Sequence, residues 1–447
     1  MKQLFLFGLL MTVAFFSCRK SDIETVKTVS LTVQVGYNAE DSALGLPKSN
    51  LPVKITNLIS GQDYTANTNN EGIAVFASIA PSSYTISVAN NLTAEQYLAI
   101  TGIYTSTNVA FNATATEAVN VNSNIKLQLI SGKIGDLVFK QIYYAGSNAS
   151  TGAVFRDQFI EIYNNSNQII YLDSLYVGST FCSNKTIASG GLPFDWTKSL
   201  GMLSGIGDVN KDYLYFRYLF MIPGNGKQYP INPGKSAIIA QTAINHSQPY
   251  TGNDGIVVGI TNPALTVDLS NADFETNLIE YDKALAGNPV NYVPWKYDLD
   301  NPNVKNVEVL IASGNDWIMD NNSRDDFIMF KAKNSPVDWK RYPDPSVTTV
   351  TAGTDRGLQV PISVNIIDAV ELITPLESAR INKRLSIALD AVGTFVTGAR
   401  YSSQSLIRKT VKTVEGRRIL QDTNNSANDF ETKTKADPSK TDASFLK

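Results

Sequence analysis

Histidine and cysteine are nearly missing from this chain: one of the first and two of the second in 447 residues. The one histidine is His246, in Ala243-Ile244-Asn245-His246-Ser247. A nucleophilic triad needs a histidine base oriented by an acid, and the elbow pattern G-x-S-x-G occurs nowhere. Zinc takes several His or Cys ligands, which this chain cannot supply. His246 is read as a packing or loop residue. A dominant charge is missing as well: 38 Lys plus Arg against 41 Asp plus Glu leave a net charge of −3. That balance gives no electrostatic case for nucleic acid or for an anionic lipid surface. Long apolar runs are missing with one exception, residues 4–16, so no later segment is long enough to cross a bilayer as a helix.

That exception organises the N-terminus. Met1-Lys2-Gln3 is a short charged head, LFLFGLLMTVAFF follows, and Ser17 stands directly before Cys18. The layout predicts a signal peptide over 1–17, with Cys18 as the lipid acceptor. Acyl chains there would anchor the protein stably, at about 0.8 kcal/mol per buried CH2. Cleavage removes one Lys and no acid, moving the charge from −3 to −4. Cys182 then has no partner, and the fold is expected to stand without a disulfide. Residues 18–27, with Arg19-Lys20-Ser21-Asp22-Ile23-Glu24, read as a polar tether. The segment resembles the charged stretch after the lipidated cysteine of Bacteroidetes-type surface lipoproteins, although Ile23 splits its acids. That resemblance implies an outer-membrane, lipid-anchored, surface-facing location.

The composition favours strands: 20 Tyr and 19 Phe accompany many Thr, Val, Asn and Gly. Period-two alternation in Val29–Val35 predicts a strand. Further strands are expected at Val53–Asn57, Tyr64–Thr68, Ile73–Ser78, Tyr84–Ala89 and Val119–Leu129, separated by turn residues such as Gly61, Asn69-Asn70, Gly72 and Pro81. Residues 68–86 resemble the carboxypeptidase-regulatory-like family. This implies a transthyretin-like β-sandwich over 28–130, usually a non-catalytic spacer. Past residue 131, Phe159–Ser166 and Ile169–Val177 are read as two alternating runs around an Asn/Ser turn, and a hairpin is expected. These runs, Pro233–Ala240, Tyr401–Lys409 and Asp422–Phe430 resemble successive pieces of lamin-tail-like domains. They imply a larger immunoglobulin-type sandwich over 131–430 with long insertions. The fold class expected is all-β. One helix is expected at Leu376–Val392, and 431–447 reads as a disordered tail.

Candidate sites are few. Asp208, Asn210 and Asp212 place oxygens at positions one, three and five of a calcium loop, but Tyr213 and Leu219 stand where Gly and Glu are required. Calcium or an Asx turn are the two readings, and Ca2+ is the sole cofactor suggested. Asp298–Asn301 and 320–323 are similar oxygen clusters. Residues 321–327 repeat at 424–430, identical at five of seven positions, each ending in Phe; turn bonding with the Phe pinned in the core is the expected role. Trp295 with Tyr292 and Tyr297, and Trp339 with Tyr342, lie in Pro- and Asp-rich stretches and offer rings for a sugar face or a protein partner. Asp41-Ser42-Ala43 resembles the O-glycosylation signal of Bacteroidetes-type secreted proteins, with Ser42 as acceptor. The whole pattern resembles lipoproteins found near outer-membrane transporters. It implies a non-catalytic binding or accessory subunit, serving a TonB-dependent transporter, a glycan or another nutrient. A glycan hydrolase using an Asp/Glu pair and a purely structural envelope protein are the alternatives.

Overall fold

A computed structural model describes residues 27–37, 39–42, 45–101, 108–131, 137–166, 169–181, 194–286, 290, 292–320, 322–332, 339–351, 354, 356–380, 385–414 and 416–446. The signal segment, Cys18 and Cys182 lie outside them. The fold is all-β. Among the described residues no helix is long and apolar enough to cross a membrane.

The first seven strands form one sheet, in the order Asp63–Asn67, Pro52–Asn57, Ser82–Leu92, Val109–Val119, Ser123–Ser131, Val29–Tyr37, Ile73–Ile79. Alternation decides its faces: Leu31, Val33 and Val35 are fully buried while their neighbours are half-exposed. These residues join Val53, Ile55, Tyr84, Ile86 and Phe111 in one core. The Asn69 carboxamide closes the expected turn by accepting from the amides of Glu71 and Ile73. Gly72 follows with φ +83°, and a Cβ there would meet the Val35 carbonyl oxygen at 2.4 Å. The expected strand Val119–Leu129 is two strands: one ends at Val119 and the next begins at Ser123. The Val109–Val119 strand was not expected, although Phe111 to Thr116 alternates between apolar and polar residues; its apolar positions are mostly small alanines, which give a weak signal.

The rest of the chain builds two facing sheets. One runs Lys305–Asn306, Phe274–Glu275, Ser236–Ala240, Phe159–Asn164, Leu137–Tyr143, Ser405–Arg408, Phe430–Lys433. The other runs Arg341–Pro343, Arg356–Pro361, Tyr213–Met221, Leu175–Thr180, Asp326–Lys331, Asn365–Glu371, with Glu308–Ile311 paired to Tyr213–Met221. Phe139, Ile160, Ile239 and Phe430 from the first meet Val177, Phe220, Met329 and Val370 from the second in a shared core. The second sheet is buried on its other face too, where Tyr176, Phe216, Ile328 and Phe330 pack beneath Leu385 and Trp339. The expected hairpin does not form. Phe159–Asn164 pairs with Leu137–Tyr143 and Ser236–Ala240, whereas Leu175–Thr180 pairs in the opposite sheet. Both strands are buried on both faces, so each is a central strand and the chain crosses between layers.

Two further expectations are corrected. Among the described residues of Leu376–Val392 there is only the 3-10 turn Glu377–Ala379, followed by turns from 385 onward. Its Asp390 is committed elsewhere: it accepts from the amides of Glu371 and Ser426 and ties a strand to the closing turn. Residues 431–446 form an ordered strap, in place of a disordered tail. Phe430–Lys433 pairs with Ser405–Arg408. Ser444 bonds the Lys140 ammonium at 2.7 Å, and Phe445 sits over that ammonium and edge-on to Tyr163. The strap's polar composition hides its job, which is to satisfy a buried Lys140–Glu161 pair.

Candidate functional site

Among the described residues, an open cleft of about 990 Å3 has aromatic and charged side chains in its lining. Its walls are the helix Ile279–Leu285, the loop 292–296 and the turn that leaves the Glu308–Ile311 strand. The helix begins where an Asp298 side-chain oxygen accepts from the Leu278 amide at 2.9 Å, satisfying a donor at the helix start. Asn253 fixes the loop: its Nδ2 donates to the carbonyls of Trp295 and Asp298, at 2.9 and 2.8 Å, and its amide donates to Lys296. Glu275 holds the loop's far end, accepting from the amides of Ala243 and Asn301 at 2.8 and 2.7 Å. Both supporting acids are fully buried. Burial pushes Glu275 up to about 7 and Asp298 up to about 8, the latter helped by the nearby Asp316.

On this scaffold Trp295 is half-buried, and Tyr281 and Tyr292 line the same cleft. The Tyr292 hydroxyl donates to Asp282 at 3.2 Å. Partial burial raises the Asp282 carboxyl above its ordinary range. Tyr297 lies just outside, edge-on to Trp295 at 6.0 Å, with the Arg156 guanidinium 4.0 Å from its ring. Arg156 is itself tied to Asp316 at 2.9 Å, so Tyr297 braces the loop. Asp254, Lys296 and Arg341 complete the lining, and Leu285 and Val293 project from the rim at 61% and 81% exposure.

The structure thus brings Trp295 and Tyr297 together, with Tyr292, and sends the second aromatic pair elsewhere. Trp339 packs against Tyr176 and Phe330, at 5.7 and 6.1 Å. Tyr342 is buried beside Tyr215 in a cluster with Phe181 and Trp196. Strand alternation explains it: in Arg341–Pro343 the exposed residue is Arg341, and Tyr342 turns inward. Sequence reasoning missed Asp254, Tyr281, Asp282, Lys296 and Arg341, which are spread over 87 positions from Asp254 to Arg341 and come together only in the fold.

Asp208, Asn210 and Asp212 form a tight turn whose oxygens are spent locally. Asp208 accepts from the Asn210 amide and pairs with Lys211, Asp212 accepts from the Asp208 amide, and Asn210 accepts from Trp196. No group of three His, Cys, Asp or Glu side chains able to hold a metal occurs among the described residues. Asp300 and Asp320 are likewise used in turns. Phe327 and Phe430, which end the repeated heptapeptides, both enter the shared core. His246 is buried with its Nε2 at 3.0 Å from the Thr242 carbonyl, and burial lowers it to about 4, so its imidazole is neutral. Ser42 is exposed, and its hydroxyl donates to the Tyr37 carbonyl at 3.0 Å. A second crevice, about 700 Å3, lies between residues 266–272 and the strap, but two of its three lysines, Lys433 and Lys440, are already bonded.

A family model described as "Protein of unknown function (DUF4876)" matches residues 232–437, which include the cleft and the first part of the strap. A crystal structure of a DUF4876 family protein from Bacteroides thetaiotaomicron VPI-5482 is similar at 24% identity, over 90% of this chain and 94% of that one, with a TM-score of 0.49. Two DUF3823 family proteins are more distant. The one from Parabacteroides merdae ATCC 43184 shares 7% identity over 37% of this chain and 70% of that one, TM-score 0.16. The one from Bacteroides ovatus ATCC 8483 shares 13% over 48% and 98%, TM-score 0.16. No curated protein matches the chain significantly. The chain is similar, over these stretches, to Bacteroidetes proteins of unknown function.

Proposed function

We propose that this protein is a lipid-anchored, non-catalytic binding subunit of the outer membrane, with the Trp295 cleft as its ligand face. One observation carries the reading: a half-buried tryptophan and two tyrosines line an open cleft whose charged side chains are not consumed by one another. Its size falls within the range of ligand sites. The address rests on the 1–17 segment and Cys18, and the transporter partner rests on the resemblance to surface lipoproteins. The N-terminal sandwich acts as a spacer in this reading. The test is retention of ligand by the full lipidated protein recovered from native outer membranes. Trp295→Ala is expected to abolish retention at unchanged melting temperature, and undiminished retention overturns the reading. Palmitate label is expected in the wild type and not in Cys18→Ala.

A second reading has one observation in its favour. Asp254 and Asp282 line the same cleft, and Asp282 is raised by burial, as a general acid would be. Release of new reducing ends from oligosaccharides, lost in Asp282→Asn, would establish a hydrolase; the binding reading expects no such product.

A further inference from the structure

Charged side chains in this protein commonly pair with a nearby opposite charge. Lys283 and Glu280, on the outer side of the cleft helix, bond at 2.6 Å, and similar short pairs join Lys211 to Asp208 and Lys54 to Asp63. The cleft breaks this habit. Asp254, Asp282, Lys296 and Arg341 all line it, and none of the four forms an ion pair among the described residues. Their local bonds leave capacity over. Asp254 gives one oxygen to the Ile256 amide, Asp282 takes only the Tyr292 hydroxyl, and Arg341 uses one N–H on the Leu310 carbonyl. Lys296 spends its ammonium over the Tyr297 ring, at 4.6 Å.

We propose that the cleft takes a neutral polyhydroxylated sugar, one ring lying against the Trp295 indole and its hydroxyl groups bridging these four side chains. The inference rests on the cleft being the ligand face. Carboxylates only accept hydrogen bonds, and ammonium and guanidinium groups only donate. A ligand of one charge would be repelled by half of this set. A hydroxyl both donates and accepts, so it satisfies either kind. The apolar C–H face of a sugar ring matches an amphipathic aromatic such as Trp295, and Tyr281 and Tyr292 line the same cleft. A volume of about 990 Å3 holds more than a single ring. Extended peptides are usually captured along the length of a strand edge, whereas the walls here are a helix, loops and only the end residues Ile311 and Arg341 of two strands.

Titration calorimetry of the full chain against neutral hexose, hexosamine and pentose oligosaccharides tests this. At least one neutral oligosaccharide is expected to bind, about tenfold or more weakly in Trp295→Ala. Asp282→Asn, nearly isosteric and retaining one carbonyl oxygen, is expected to weaken binding by a smaller factor. Binding that neither variant changes lies outside the cleft and overturns the proposal. Trp295-dependent binding of peptides or anionic oligosaccharides, with none of neutral sugars, also overturns it while leaving the cleft as ligand face. No Trp295-dependent binding of any probe, with membrane retention unchanged in Trp295→Ala, overturns both.

Discussion

At the residue scale the interior is unusually ionic. Arg408 is fully buried and fans its guanidinium over the Phe139 carbonyl at 2.8 Å, the Gln421 carbonyl at 2.9 Å and the carboxylates of Asp368, Asp422 and Asp429. These acids come from two segments, Asp368 from the Asn365–Glu371 strand and Asp422 with Asp429 from the closing turn, so the fork locks that strand to the turn. Removing it strands buried carboxylates, and Arg408→Met should cost about 3–5 kcal/mol by urea unfolding. Arg408→Lys should recover little, since one ammonium cannot reproduce the fork. Asp298 gives a pH signature. Its carboxyl is raised to about 8 in the folded state, so the folded protein holds a proton that the unfolded chain releases near pH 4. Its contribution is present at low pH and is lost as pH rises toward 8, by at most about 1.4 kcal/mol per pH unit. Asp298→Asn should flatten this fall between pH 5 and 8; an unchanged slope would assign the proton elsewhere.

At the element scale, close packing decides what the central strands tolerate. Gly178 sits mid-strand, and a Cβ there would meet the Tyr218 carbonyl at 2.2 Å and the Phe216 and Leu219 side chains at 2.9 Å. Gly178→Ala should destabilise by about 1–3 kcal/mol through overpacking, read from the denaturation midpoint at constant slope. The C-terminal strap is the second case. Deleting residues 434–447 removes Ser444 and Phe445 from the buried Lys140. A lowered melting temperature of the truncated protein is expected, and an unshifted one would mark the strap as dispensable. Neither element was legible by composition. The strap is polar because it bonds buried polar groups, and the expected helix at 376–392 kept helical spacing at a few apolar positions while its Asp390 was drawn into backbone bonding across strands.

At the scale of the whole molecule, the first seven strands have their own core, and the two facing sheets have another. The Asn112 side chain reaches the Thr423 carbonyl at 3.2 Å, a thin link between them. Calorimetry should therefore show two transitions, with the first unit folding alone as residues 28–131; a single coincident transition would refute this. The sequence by itself determined the all-β class, the N-terminal strands with their Asn69–Gly72 turn, and the local grouping of Trp295 with Tyr292 and Tyr297, because alternation, turn chemistry and short-range spacing are written along the chain. Only the tertiary structure decided which apolar runs share a sheet, that Trp339 and Tyr342 are core, and that Asp254, Asp282 and Arg341 meet around Trp295. Runs buried on both faces carry no register signal, and side chains distant in sequence become neighbours only when strand order is set by packing.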